Sequence, residues 1–99
     1  MILIHRIIWF SEVEEKISRK HNVQPREVEQ VLNGEPYIRF MEPGHRPGEN
    51  LYAAFGQTDG GRYLVVFYLH KGDDSALIVT ARDMTPKERR YYALVSAKC

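Results

Sequence analysis

The chain has 99 residues and a formal net charge of +1. That is one domain's worth of sequence, read as a single unit over 1–99, and it is too near neutral for a polybasic nucleic-acid binder. No apolar run approaches the length of about eighteen residues that a membrane span needs. His5 and Arg6 break the apolar N-terminal run and no small-residue cleavage site follows, so no signal peptide is expected. The single cysteine, Cys99, has no internal partner, which fits a reducing, cytoplasmic setting.

Ile2–Phe10 is rich in β-branched and aromatic residues and predicts a strand. Ser11 stands three residues before Glu14, the spacing of a capping box, so a first helix is expected from about Glu12 to Lys20. Val13 and Ile17 form its apolar line, His21 continues that line, and Glu12–Lys16 and Glu15–Arg19 are pairs in the favourable order. After the turn Asn22-Val23-Gln24, Pro25 suits the first position of a second helix. Val28, Val31 and Leu32 give that helix its buried stripe, and Gly34 is its expected C-terminal cap.

The sequence then turns to strands. Tyr37–Met41 is followed by a loop marked by Pro43, Gly44, Pro47 and Gly48. Leu51–Gln57 and Arg62–Leu69 flank the turn Asp59-Gly60-Gly61. The second of these is almost continuously apolar, as in a strand covered on both faces. Lys71 to Asp74 makes another turn before a strand over Leu77–Ala81. Thr85-Pro86-Lys87-Glu88 is a capping box with proline at the first helical position, so a last helix is expected from Pro86 to about Ser96. Two helices, hairpin-linked strands and one closing helix predict an α+β fold on an antiparallel sheet.

Histidines at 5, 21, 45 and 70 have no ligand spacing and there is no cysteine pair, so neither a metal nor a cofactor is expected. Phosphate-loop and nucleophile-elbow patterns are absent from the sequence. His21, beside Lys20 at a helix end, can exchange a proton near neutrality, or it can simply extend the Val13–Ile17 line. Arg82 ends a buried-looking strand, where its planar fork suits phosphate oxygens or, equally, a salt bridge to Asp83, Glu88 or an N-terminal glutamate. Arg62 reads as a solvated strand-edge charge. Arg89 and Tyr92 share one helix face. With Lys87, Arg90 and Tyr91 they suit a ribonucleotide path, or else a tyrosine-anchored helix with its polar side in water. Tyr63, Phe67 and Tyr68 read as core rather than as a stacking platform.

Four short motifs, in order, carry a family likeness. Lys20-His21-Asn22-Val23 resembles the Lys-His-Gly-Val turn of the BrnT toxins. Gly61-Arg62-Tyr63-Leu64 with the apolar strand after it is similar to that family's Gly-Arg-x-Leu segment. Thr80-Ala81-Arg82 resembles its Ser-Ala-Arg signature, and Glu88-Arg89-Arg90-Tyr91-Tyr92 its Glu-Arg-x-x-Tyr ending. The likeness runs from about Trp9 to Tyr92. Asn22 replaces the usual glycine, and Leu77 stands where many relatives carry arginine.

The resemblance implies a RelE-like fold and a type II toxin that cleaves RNA. It implies neutralisation by a small ribbon-helix-helix antitoxin, with DNA met only through that complex and no membrane partner. The mechanism expected is metal-independent attack of the ribose 2′-OH on the adjacent phosphate. His21, with Lys20, would transfer protons, and Arg62 and Arg82 would neutralise the phosphate. Arg89 and Tyr92, with Lys87 and Arg90 beside them, would position the RNA. The rival expectation is a non-catalytic interaction protein or transcriptional co-regulator on the same fold.

Overall fold

The computed structural model describes residues 4–96; Ile2, Leu3 and Cys99, drawn into the expectations above, lie outside them. The elements are β1 (Arg6–Ile8), α1 (Ser11–His21), α2 (Pro25–Asn33), β2 (Tyr37–Pro43), β3 (Asn50–Gln57), β4 (Tyr63–His70), β5 (Ser75–Asp83) and α3 (Pro86–Ser96). Among the described residues, no helix is long and apolar enough to cross a membrane.

One sheet takes the order β1-β5-β4-β3-β2. It is mixed, not antiparallel throughout: β1 lies parallel to β5, and the other neighbours are antiparallel. Tight turns force β2 to β5 to alternate in direction. β1 is joined to the rest through two helices, so no hairpin constrains its direction. Among the described residues its pairing covers Arg6–Ile8, where the sequence predicts a strand on to Phe10.

β4 is covered on both faces, as its apolar run implies. Leu64, Val66 and Tyr68 are fully buried against a core that includes Ile17 of α1 and Val28 and Val31 of α2. The alternate residues Val65 and Phe67 face a smaller core with Phe55, Met84 and the α3 residues Tyr91 and Tyr92. Gly56 lets α2 approach the sheet closely: a Cβ there would sit 3.1 Å from Val31 Cγ1 and 3.4 Å from Pro36 Cβ.

Two helix ends differ from the sequence reading. Ser11 is not a cap; Phe10 is, in extended conformation, with its carbonyl accepting from Val13 and Glu14, while the Ser11 hydroxyl donates to Glu12. The chain enters α1 one residue earlier than the Ser11–Glu14 spacing implies. Gly34 does follow α2, but with φ −96° rather than a left-handed φ. Its value is space, because a Cβ would lie 2.9 Å from the Gln30 carbonyl oxygen. Past α2 the positive φ falls on Glu35, at 59°, and past α1 on Asn22, with φ 54° and ψ 40°, a conformation asparagine tolerates. The Glu15–Arg19 pair forms at 2.9 Å on the exposed face of α1.

Candidate active site

The candidate residues gather at one end of the sheet, where β4 begins and β5 ends. Leu64 pairs with Asp83 and Val65 with Arg82. Because successive strand residues point to opposite faces, Arg82 faces α3 and Asp83 faces the α1–α2 side. The sequence-predicted residues therefore fall into two groups separated by the thickness of the sheet edge.

On the α1–α2 side the organiser is Arg62, which is not the solvated charge its sequence position implies. Its Nε donates to Asp83 Oδ1 at 2.7 Å, and its Nη2 donates to Asp83 Oδ2 at 3.1 Å and to the His21 carbonyl at 3.0 Å. Nη1 donates to the Asn22 carbonyl at 2.7 Å and to Glu27 Oε1 at 3.1 Å. One guanidinium thus ties the Lys20–His21 turn to the start of α2 and the end of β5. Glu27 has a second duty, accepting the Gln24 backbone N–H at 3.0 Å at the head of α2. The Asp83 hydrogen bonds raise the Arg62 pKa. In return the Arg62 fork holds the Asp83 carboxyl below the usual carboxylate range, with a smaller contribution from the charge of His21. His21 is half-buried and near enough to Asp83 for that influence, while Lys20 is exposed.

On the α3 side Arg82 is held by Glu88. Its Nη1 and Nη2 donate to the two carboxylate oxygens at 2.7 and 3.0 Å, and its Cζ lies 5.5 Å from the Phe67 ring centroid. Glu88 also accepts the Thr85 N–H at 2.8 Å, and Thr85 Oγ1 accepts the Glu88 N–H at 3.1 Å, so the expected capping box forms. Hydrogen bonding to Arg82, then to Thr85, lowers the Glu88 pKa.

Arg89 and Tyr92 do converge. Arg89 Cζ sits 4.1 Å above the Tyr63 ring centroid, and Tyr63 meets Tyr92 edge-on at 6.1 Å. A cleft of about 490 Å³ opens there, between Gln57 and Tyr63 on the sheet and Arg89, Arg90, Tyr92 and Ser96 on α3. Arg90 and Lys87 are exposed.

Sequence reasoning missed Asp83 and Glu27 as partners of Arg62, and Tyr63 and Gln57 as cleft walls. For the last two a signal existed. The turn at 59–61 puts Gln57 directly opposite Tyr63 in register, so the hairpin alone brings them to one face. Leu77 lies opposite Leu69 and beside Ile8. It stands about 15 Å along β5 from Arg82, allowing about 3.3 Å per residue and the bulge at Val79. Among the described residues, no group of three or more histidine, cysteine or acidic side chains is placed to hold a metal ion.

The family model for the ribonuclease toxin BrnT of type II toxin–antitoxin systems matches residues 9–88. Among solved structures, the ribonuclease toxin BrnT of Brucella abortus superposes with a TM-score of 0.59, covering 81% of this chain and 96% of that one at 16% identity. At that identity the likeness speaks for the fold. No curated protein matches the chain.

Proposed function

The chain belongs to the BrnT family of ribonuclease toxins of type II toxin–antitoxin systems, and on that premise we propose that it is a metal-independent RNA endonuclease working at the shared end of β4 and β5. Residues 1–99 act as one toxin domain. The ribose 2′-oxygen attacks the adjacent phosphorus, the bond to the 5′-oxygen breaks, and the products carry a 2′,3′-cyclic phosphate and a 5′-hydroxyl. One proton leaves the 2′-OH and one is supplied to the departing 5′-oxygen. His21, with Lys20 beside it, handles these protons. Arg82 offsets the charge that builds on phosphorus. Arg62 adds positive charge and fixes the turn that carries His21. Arg89 and Tyr92, with Lys87 and Arg90 around them, hold the RNA.

The observation that carries this reading is convergence. Arg62 Nη2 donates both to the His21 carbonyl and to Asp83 Oδ2, and Asp83 is the residue next to Arg82. A proton-transfer group and a two-pronged cation thus flank the same strand end from opposite faces. RNA using both runs across the edge of the sheet and onto the α3 cleft. Its phosphate competes with Glu88 for the Arg82 fork, which carboxylate and phosphate both fit in bidentate fashion.

In this reading the antitoxin is a small ribbon-helix-helix protein, the chain meets DNA only through it, and the pair works in the cytoplasm. Induced expression tests the proposal. The parent chain should arrest growth, Arg82→Ala and His21→Ala should each abolish the arrest, and the antitoxin encoded beside it should relieve it. Arrest by both variants at parental strength would remove these residues from the site.

One observation favours a second reading, an interaction protein without catalysis. Both strand-end arginines are already paired with carboxylates, Arg62 with Glu27 and Asp83 and Arg82 with Glu88. On that reading the chain binds its antitoxin tightly but leaves growth and RNA untouched.

A further inference from the structure

The α3 cleft has a lining that the phosphate chemistry does not use. Its side chains are two tyrosines, two guanidinium groups, an amide and a hydroxyl, with no carboxylate. Arg62 and Arg82 spend their charge on acids, whereas Arg89 lies exposed over the Tyr63 ring with no acidic partner among the described residues. We propose that this cleft is a nucleobase subsite, in which the base next to the scissile phosphate stacks on the Tyr63–Arg89 pair against Tyr92 and is read by Gln57. The inference rests on the ribonuclease reading above and names what selects the substrate.

Stacking suits the arrangement. A guanidinium over an aromatic ring presents a second flat cationic face to a base, and unstacked bases in single-stranded RNA are held by aromatic and arginine planes in this way. Tyr92, at an interplanar angle of 76° to Tyr63, closes one side. The cleft has room for one nucleotide and is far too small for a duplex. Arg90, exposed on the rim, meets the following phosphate.

Gln57 supplies selection. It stands opposite Tyr63 on the same face, and its Nε2 donates to the Gly61 carbonyl at 3.2 Å. Gly61 has φ +88°, a conformation glycine adopts without strain, so the turn can bring that carbonyl back to the amide. One Nε2 hydrogen is so engaged, which leaves Oε1 as an acceptor and the second Nε2 hydrogen as a donor. A base whose edge sets a donor and an acceptor against that amide satisfies both, and one that fits it less well loses a hydrogen bond. One such hydrogen bond corresponds to roughly tenfold in rate or affinity.

Two measurements on the full chain test this. The first is cleavage of short RNAs that differ only in the base beside the scissile phosphate. The parent should cleave beside its best base roughly tenfold faster in kcat/KM than beside its worst. Gln57→Met, which keeps the length and removes the acceptor, should flatten that preference to within about twofold. Tyr63→Leu and Arg89→Lys should raise KM for every substrate. A role confined to packing would lower all rates together and leave the preference intact.

The second is binding of uncleavable 2′-O-methylated dinucleotides, followed through side-chain chemical shifts of Gln57, Tyr63 and Arg89. Binding with base preference in a chain that does not cleave would uphold the subsite and overturn the ribonuclease reading. Cleavage with no preference, and no shifts at these three residues, would overturn the subsite and leave the ribonuclease reading standing. Shifts caused only by the antitoxin would make the cleft a protein-binding surface and overturn the proposal.

Discussion

Arg62 shows how far a residue's role can lie from its local sequence. Its partners are 21, 35, 40 and 41 positions away, so no window along the chain exposes them, and a strand-edge charge is all that local pattern reveals. Removing it takes a donor from Asp83, Glu27 and two backbone carbonyls. Arg62→Ala should cost about 2 kcal/mol, seen as a lower urea midpoint, and Arg62→Lys should recover only part, since an ammonium cannot span the fork. A midpoint unchanged in Arg62→Ala would mean the clamp contributes nothing. The same pairs set an acid response. Asp83 and Glu88 have folded pKa values below their unfolded ones, so their stabilisation is complete above the ordinary carboxylate range. It is lost as pH falls from about 4 through the lower folded values. The double variant Asp83→Asn, Glu88→Gln should flatten the pH dependence of stability in that window. Tyr68 poses the opposite case. Its hydroxyl is buried with no hydrogen-bond partner among the described residues, and burial pushes its pKa up. Tyr68→Phe should therefore be neutral or stabilising, by up to about 1 kcal/mol, and a clear loss in thermal midpoint would show that the hydroxyl has a partner.

At the level of elements, pattern and chemistry in the sequence located every helix and strand, and misjudged chiefly their ends. Thr85 and Glu88 form the box their spacing implies. Ser11 and Glu14 have the same spacing and do not, because Phe10 already occupies the cap position. Spacing therefore marks a candidate cap, and the backbone path decides whether it is used. α3 depends on its cap more than the other helices do. It has no fully buried residue and is held by the Glu88–Arg82 pair and by tyrosine edges against Tyr37, Phe55 and Tyr63. Thr85→Ala should cost about 1 kcal/mol and should speed amide exchange in α3 before it affects β3 or β4. Uniform acceleration across the sheet would show that α3 does not open separately.

For the whole molecule, the sequence reached the α+β class but not the mixed sheet. Nothing in Arg6–Ile8 records whether its neighbour runs with it or against it; that follows only from the route of the chain through two helices. The candidate residues can be named from the sequence by type, but their arrangement cannot. Arg82 and Asp83 are adjacent in sequence and point to opposite faces, so the candidate residues fall into two groups across a sheet edge. Leu77, where many relatives carry arginine, lies down β5 from that edge, opposite Leu69 and beside Ile8.

The central claim is that this edge cleaves RNA. Purified, antitoxin-free protein should be incubated with end-labelled RNA in EDTA, alongside Arg82→Ala and His21→Ala proteins shown to be folded. Cleavage by the parent alone, leaving 5′-hydroxyl and 2′,3′-cyclic phosphate ends, is the predicted result. Intact RNA with the folded parent, or equal cleavage by all three proteins, would contradict the account.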